Sequence, residues 1–262
     1  MPGFAGAETV YHLAARAGVQ DSWGGSFADA WDVNVAGTHA VLEAALAAGV
    51  RRVVIASSSS VYGETSGRDG RRTLSPISPY GASKAACEHL AGVYARRGLD
   101  VVTLRYFTVY GPRQRPDMAM HRIFESLRPD GPAFVRRGSG SQTREFTFVL
   151  DVAAATAAAG ALASASGRAF DIGGGAPASL NDVIAAVGAM TGAPVPVEAA
   201  ARPAGDPQAT SADCSAAHRL LGWRPVTSLN RGLAEQWAWH RRRRATGVEP
   251  QRDDPRLVPV AL

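Results

Sequence analysis

The chain has 262 residues with 46% hydrophobic side chains, a composition typical of a soluble globular protein with a sizeable core. No apolar run is long enough to cross a bilayer and no signal peptide is evident, so we expect neither a membrane protein nor a secreted one. Two cysteines, Cys87 and Cys214, argue against a disulfide framework and favour a reducing cytoplasm, and the six histidines show no metal-ligand spacing. The net charge of +5 suits either nucleic acid or an anionic small substrate.

The sequence has one basic cluster, residues 240–244, that could bind nucleic acid. It ends a predicted helix, where cations suit the helix dipole. We interpret it as a solvated helix end, because charge runs usually have that role, and we expect no nucleic-acid partner. The polar, proline-containing residues 246–262 are predicted to form a loose tail.

The first clear element is a strand over residues 52–57, whose apolar run is typical of a buried parallel strand. It leads into the serine run Ser57 to Ser60. Polar residues at the carboxyl end of such a strand lie where open α/β sheets bind ligands. The serine run is therefore a candidate site.

Tyr80 and Lys84 follow in the segment Tyr-Gly-Ala-Ser-Lys, four residues apart and so on one face of a helix. A phenol ordinarily ionises near pH ~10, and a neighbouring ammonium favours the phenolate. The pair predicts a proton acceptor able to work near neutral pH. Taken alone, the spacing also fits an ordinary exposed helix pair, and only the strands on either side favour the catalytic interpretation.

The next predicted strand, residues 101–106, completes a strand–loop–helix–strand unit. Residues up to about 110 therefore follow the pattern of a parallel α/β sheet. The pattern beyond residue 111 is less regular. Its predicted elements are strands near 133–136 and 169–172 and helices near 179–190 and 229–242.

Several motifs in this order resemble the extended short-chain dehydrogenase/reductase superfamily, in its NAD-dependent nucleotide-sugar epimerase/dehydratase branch. Residues 10–15, Val-Tyr-His-Leu-Ala-Ala, resemble the family's fourth strand, and Asn34 opens a segment that resembles the following helix. Residues 104–112 resemble the segment that enters the sugar-nucleotide site. Residues 141–146, 202–206 and 221–225 resemble the diphosphate-contacting segment and the two C-terminal signatures. The implied fold is an α/β, N-terminally truncated Rossmann-like doubly wound parallel sheet with a smaller C-terminal substrate lobe. Residues 1–110 would form the partial dinucleotide-binding domain and residues 111–245 mainly the substrate-binding lobe, with the active site in the cleft between the two.

The resemblance implies roles for the central residues. Tyr80 takes the proton of a sugar hydroxyl, Lys84 assists it and holds the ribose of NAD, and Ser58 lies beside the reacting oxygen. The cofactor carries the hydride chemistry. The resemblance also implies cofactor contacts for Ala14, Ala15 and Asn34, and no metal.

Two neighbours of Ser58 decide which reaction is expected. Related 4,6-dehydratases have an Asp-Glu pair here, whereas this chain has Ser59 and Ser60, and a serine cannot act as the acid that eliminates water. The sequence therefore favours an epimerase that acts through a 4-keto sugar.

The substrate is narrowed by resemblance to UDP-glucuronate and UDP-glucose 4-epimerases. In that group the positions of Ser59, Ser60, Thr108 and Arg115 face the sugar. An arginine fork suits a carboxylate, but Arg115 fits an ordinary surface-loop arginine equally well. Arg144 and Arg202 would bind the diphosphate. We expect a UDP-sugar substrate, no membrane partner, and possible homodimers.

The family's usual opening, a strand with a glycine-rich turn and a helix that cradles the cofactor pyrophosphate, is not found in this sequence. Residues 173–175, Gly-Gly-Gly, follow a late strand and are interpreted as a tight turn. We therefore expect the chain as given to bind NAD weakly or not at all. A start codon placed too late, a decayed gene, or strands supplied by another chain would each explain this. The alternative to an active epimerase is thus a catalytically impaired remnant or a partner-binding subunit.

Overall fold

A computed structural model describes residues 2–64, 73–203 and 205–246. The strands are β1 (Thr9–His12), β2 (Arg52–Ser58), β3 (Asp100–Tyr106), β4 (Val109–Tyr110), β5 (Phe134–Arg137), β6 (Thr143–Glu145), β7 (Thr147–Phe148), β8 (Ala169–Ile172), β9 (Pro177–Ser179) and β10 (Val197–Ala200). The helices are α1 (Ser26–Trp31), α2 (Gly37–Ala47), α3 (Pro79–Arg96), α4 (Ala119–Ser126), α5 (Val149–Ala161), α6 (Leu180–Thr191), α7 (Ser215–Leu221) and α8 (Leu229–Thr246). The predicted loose tail lies, from residue 247 onward, outside the described residues.

The main sheet is parallel, with strand order β1-β2-β3-β8. Its central strand β2 is buried along its whole length, as expected for a strand covered on both faces. The two strands predicted at 52–57 and 101–106 are both confirmed, each extended by one residue. The polar ends of β2 and β3 therefore meet at one edge of the sheet.

Two apolar layers enclose this sheet. On one face, Val53, Ile55 and Val101 pack against Leu42 of α2 and Ala91 of α3. On the other face, strand residues pack against α5 and α7. Helices on both faces of a parallel sheet define the predicted doubly wound α/β class.

A third apolar cluster joins α4, β5, α6 and α8 away from the main sheet. The predicted strands 133–136 and 169–172 correspond to β5 and β8, and the predicted helices 179–190 and 229–242 to α6 and α8. α6 begins at a capping box in which Ser179 and Asp182 bond reciprocally.

The main sheet does not end at residue 110, the boundary that the sequence predicted. β8 pairs with β3 and α5 packs on the main sheet, so two elements from the C-terminal part of the chain complete the dinucleotide-binding type of sheet. The Ala-rich composition of α5 hid its role, because a short run of small residues predicts no buried face.

The basic cluster of residues 240–244 differs from the predicted solvated helix end. Arg241 and Arg242 are exposed, but the side chains of Arg243 and Arg244 are only 15% and 28% exposed and lie against Glu125. They tie α8 to α4. No helix among the described residues is both long enough and apolar enough to span a bilayer.

Candidate active site

The first turn of α3 is built to bring Tyr80 to the end of β2. Ser78 caps the helix by accepting a hydrogen bond from the N–H of Gly81 at 3.1 Å, and Pro79 occupies the first turn, where a missing N–H costs nothing. Gly81 then packs against the backbone of Ser60: a Cβ at position 81 would lie 2.4 Å from the Ser60 carbonyl oxygen. Only glycine permits this approach.

Tyr80 is half-buried and is held by its backbone. Its N–H donates to Ser22 Oγ at 3.1 Å, and its carbonyl accepts from Ser83 Oγ at 2.8 Å. The phenol makes no hydrogen bond with the residues that the structure describes. The chain thus fixes the residue and leaves the reactive oxygen available.

Lys84 is buried, with 5% of its surface exposed, one helical turn after Tyr80. Its ammonium donates to the carbonyl of Ala56, in β2, at 2.9 Å. An ammonium has three N–H groups, so two stay available for a ligand. Tyr80 and Lys84 therefore share one helix face, and Lys84 bonds that face to β2.

The serine run forms a short polar turn at the carboxyl end of β2. Ser58 ends the strand, and its Oγ accepts from the N–H of Ser60 and donates to the Ser60 hydroxyl, both at 3.1 Å. Ser59 and Ser60 begin a 3-10 turn and are half-buried. Ser58, Tyr80 and Lys84 thus converge on the edge of the sheet where ligands bind in such folds.

Asn34 braces the same site from a neighbouring element. It lies in a π-helical turn, Asp32–Ala36, between α1 and α2, and is 1% exposed. Its amide donates to Ser83 Oγ at 2.9 Å and to the carbonyl of Arg16 at 3.1 Å, and its oxygen accepts from the N–H of Arg16 at 2.8 Å. All three partners are protein atoms, so its predicted cofactor contact stays a prediction.

A buried histidine, which sequence reasoning missed as part of the site, lies behind Lys84. The Nε2 atom of His12 is 2.9 Å from Thr38 Oγ1. Burial, assisted by the Lys84 cation, lowers the pKa of His12 to about 4. The imidazole is therefore neutral at pH 7 and adds no charge beside the ammonium.

Sequence reasoning also missed a buried ion pair between α3 and the sheet. Glu88, on α3, accepts bonds from Arg105 of β3 and from Ser57 of β2, with Arg105 Nη2 2.6 Å from Glu88 Oε2. Both side chains are less than a tenth exposed. A signal was present, because Glu88 continues the Tyr80–Lys84 face by four residues and the charge of Arg105, near the buried end of β3, requires a partner.

The donors near Lys84 fit the ribose end of a nicotinamide cofactor, the group that the sequence resemblance implies. Two ammonium N–H groups match vicinal ribose hydroxyls, and the Tyr80 phenol is available to a reacting alcohol. The Ser58 O–H donates to Ser60, so Ser58 would have to turn its O–H to donate to a ligand. Ala14 and Ala15 follow β1 at this edge, exposed and half-buried respectively.

The glycines 173–175 serve the protein's own packing. A Cβ at Gly174 would lie 2.0 Å from the Phe146 carbonyl oxygen, and the N–H of Gly175 donates to Glu145 at 3.2 Å. Gly175 also has a positive φ of 83°, as a turn requires. These contacts agree with the turn that the sequence predicts.

The other predicted substrate residues lie after β3. Thr108, Arg115 and Arg202 are in loops, and Arg144 is in β6. Thr108 is half-buried just after β3, and its carbonyl accepts from the N–H of Thr147 at 3.0 Å. Arg115 closes its guanidinium on Asp117, with Nη2 2.7 Å from Oδ2, and also donates to the Ala17 carbonyl. A sugar carboxylate at Arg115 would therefore compete with Asp117.

The two predicted diphosphate arginines converge on one segment. Arg144 Nη2 is 2.5 Å from Asp206 Oδ1 and 2.7 Å from the Pro207 carbonyl oxygen. Arg202 bonds to the Asp206 carbonyl and to Gln208. The structure brings these arginines together, and Asp206 already neutralises part of their charge.

One further cluster was not predicted from spacing: His121, Glu125 and His240, with potential ligand atoms within 4.8 Å of one another. His240 Nδ1 lies 2.8 Å from Glu125 Oε1, and burial lowers the pKa of His240 to about 4. Arg128, Arg243 and Arg244 all lie within 4.0 Å of the same carboxylate. Three guanidinium groups oppose a metal cation there, and a neutral histidine donating to Glu125 explains the contacts.

Residues 3–173 match the sequence model of a family described as the NAD dependent epimerase/dehydratase family. The chain is 39% identical over 236 residues to an uncharacterized UDP-glucose epimerase, YtcB, of Bacillus subtilis, covering 89% of this chain and 74% of that protein. It is 36% identical to a UDP-glucuronate 4-epimerase of Thermodesulfobacterium geofontis, covering 88% of this chain and 71% of that protein.

Solved structures show the same similarity. The UDP-glucuronic acid 4-epimerase of Bacillus cereus, in complex with UDP-glucuronic acid and NAD, superposes with a TM-score of 0.85 at 39% identity and covers 90% of this chain and 76% of that chain. MoeE5, in complex with UDP-glucuronic acid and NAD, superposes with a TM-score of 0.86 at 40% identity, covering 91% and 81%. MoeE5 has also been solved with UDP-glucose and NAD.

Proposed function

Because this chain belongs to the NAD-dependent epimerase/dehydratase family, we propose that it is a nucleotide-sugar 4-epimerase that acts on UDP-glucuronate or UDP-glucose. The observation that carries the proposal is the convergence of Ser58, Tyr80 and the buried Lys84 on the carboxyl end of β2. Ser59 and Ser60, which follow Ser58, offer no carboxylic acid for dehydration. That combination favours epimerisation over elimination.

In the proposed reaction, Tyr80 removes the proton of the sugar C4 hydroxyl as the C4–H bond breaks. Ser58 hydrogen-bonds the same oxygen and orients it, while Lys84 binds the ribose of the cofactor and favours the phenolate. NAD, when bound, supplies the acceptor for the C4 hydride and returns it. The keto sugar turns over, the hydride returns to the opposite face, and Tyr80 gives the proton back, so the net change is an inversion at C4 with no redox product.

Three arginines, Arg115, Arg144 and Arg202, support a nucleotide-sugar substrate. Arg144 and Arg202 are close enough to share the 206–208 segment, and two guanidinium groups suit a diphosphate. Arg115 provides the fork that would recognise a sugar carboxylate, which favours UDP-glucuronate over UDP-glucose.

The proposal is tested by incubating the purified chain with NAD and either UDP-glucuronate or UDP-glucose, and following the C4 epimer by NMR. NAD is supplied in large excess, because the chain is expected to bind it weakly. Under that condition we expect conversion by the wild-type chain and none by Tyr80→Phe, which removes a single oxygen atom. Affinity for UDP, measured by calorimetry, should change by less than about threefold in Tyr80→Phe, because the arginines proposed to bind the diphosphate contact the 206–208 segment and not Tyr80.

Conversion by Tyr80→Phe at the wild-type rate would show that another group removes the proton, and the proposal would be wrong. A wild-type chain that binds UDP-sugars but converts neither of them, even with NAD in excess, would instead support the impaired or partner-binding alternative.

A further inference from the structure

The face of α3 that carries the candidate catalytic pair continues one turn further to Glu88. Tyr80, Lys84 and Glu88 are spaced by four residues, so they form one stripe along the helix. Lys84 donates to the carbonyl of Ala56, and Glu88 Oε1 accepts from Ser57 Oγ at 2.6 Å. The stripe therefore bonds to two consecutive residues of β2, immediately before Ser58.

Arg105 locks the Glu88 carboxylate in place from the neighbouring strand. Its Nε lies 2.9 Å from Oε1, and its Nη2 lies 2.6 Å from Oε2, a two-pronged contact that fixes position and orientation together. Side-chain exposure is 9% for Arg105 and 8% for Glu88, so water does not weaken the pair. Ser57 and Arg105 are also paired in register across β2 and β3.

The far side of Arg105 is anchored as well. Its Nη1 donates to the Tyr62 hydroxyl, which in turn donates to Asp171 of β8 at 2.7 Å. Burial by itself would lower the pKa of Arg105, but the Glu88 and Tyr62 contacts together raise it, so the guanidinium stays charged. The hydrogen-bond network thus runs from α3 across β2 and β3 to β8.

We infer that Glu88 is a positioning residue for the epimerase reaction, a conclusion that rests on the function proposed above. The carboxylate holds the register of α3 against β2, and with it the placement of Tyr80 and Lys84 relative to Ser58. Lys84 also bonds to β2, but its remaining N–H groups are those proposed to bind the cofactor, whereas the Glu88 contacts described here are all with the protein. Glu88 and Ser57 face the protein interior, so their bond is independent of ligand.

A second buried ion pair at the opposite end of the same strands provides a matched control. Arg52, at the start of β2, bonds to Asp100, at the start of β3, with Nη2 2.6 Å from Oδ2 and the Arg52 side chain 1% exposed. Asp100→Asn also removes a carboxylate that pairs with a buried arginine, but far from the catalytic edge. If Glu88→Gln acted only by lowering stability, its effect on kcat should equal that of Asp100→Asn.

The experiment compares the wild-type chain with Glu88→Gln, Ser57→Ala and Asp100→Asn, each assayed well below its melting temperature. In Glu88→Gln we expect kcat to fall roughly 10- to 100-fold with KM changed less than about threefold, since misplaced reacting groups impair turnover more than binding. Ser57→Ala should change kcat in the same direction by less. Asp100→Asn should keep the wild-type kcat.

Amide hydrogen exchange supplies a readout that needs no turnover. Peptides covering residues 79–84 should exchange faster in Glu88→Gln than in wild type. In Asp100→Asn, exchange should change only near the first residues of β2 and β3. Wild-type kcat and exchange in both Glu88→Gln and Ser57→Ala would overturn the positioning role. If Glu88→Gln does not fold, Ser57→Ala decides on both readouts. Failure of the proposed function has a different signature: either Tyr80→Phe converts substrate at the wild-type rate, or the wild-type chain converts neither sugar, and hydrogen exchange then still tests the contact of Glu88 with β2.

Discussion

Gly81 lies against the carbonyl of Ser60 so closely that no side chain fits between them: a Cβ at position 81 would lie 2.4 Å from the Ser60 oxygen and 3.0 Å from Pro76 Cβ. Gly81→Ala should therefore push the first turn of α3 away from the serine turn. We expect a loss of about 1–3 kcal/mol of folding free energy, typical of overpacking, and a clear fall in kcat.

Gly92 provides the control for this substitution within the same helix. It is exposed, and a Cβ there would meet no atom within 4 Å. Gly92→Ala should stabilise the chain by up to about 1 kcal/mol, because alanine is the better helix former. Urea unfolding and initial rates measure both effects, and equal behaviour of the two variants would contradict the close-contact explanation.

Replacing Lys84 by methionine should change the titration of a different residue. The Lys84 cation is one cause of the lowered pKa of His12, and burial is the larger one. In Lys84→Met the pKa of His12 should therefore rise from about 4 but stay below its ordinary value of 6.5. A histidine NMR titration measures the change, with His240 as the reference that should not move. An unchanged His12 would show that the ammonium does not face the imidazole.

Acid should destabilise the protein between pH 6.5 and about 4, because burial lowers the pKa of His240 to about 4. In that window the unfolded chain binds a proton that the folded chain does not, so stability is present above pH 6.5 and is lost as pH falls. The full difference for one such histidine is on the order of 3 kcal/mol, and His12 acts in the same direction.

Comparing His240→Gln with the wild type isolates that contribution. Glutamine can still donate to Glu125 but does not titrate, so urea unfolding at pH 7 and pH 5 should show a smaller acid loss in the variant. Replacing the exposed His89 by glutamine should leave the loss unchanged. Equal losses in His240→Gln and wild type would mean that His240 does not titrate in this window.

Arg115 and Asp117 together make a specificity prediction. Because Arg115 Nη2 lies 2.7 Å from Asp117 Oδ2, a sugar carboxylate has to displace Asp117. Arg115→Ala should lower kcat/KM for UDP-glucuronate by roughly tenfold more than for UDP-glucose. Asp117→Asn should lower KM for UDP-glucuronate and leave that for UDP-glucose unchanged. Steady-state kinetics with both sugars would contradict the carboxylate role if either variant affected the two substrates equally.

The sequence by itself determined the elements that depend on local pattern. Apolar stretches such as Val-Val-Ile-Ala in β2 and Val-Val in β3 predicted these strands, because a strand covered on both faces takes mainly apolar side chains. The spacing of Tyr80 and Lys84 placed both on one helix face, and the polar end of β2 marked the ligand-binding edge. These inferences rest on backbone geometry and burial that neighbouring residues specify.

Only the tertiary structure decided which side chains meet. Glu88 finds Arg105 across 17 residues, Asn34 finds Ser83 across 49, and His240 finds Glu125 across 115. Arg243 and Arg244 turn inward to the same carboxylate, although their charge run predicted a solvated helix end. Local sequence cannot specify such pairs, since a buried charge is tolerated only where packing of distant elements delivers its partner.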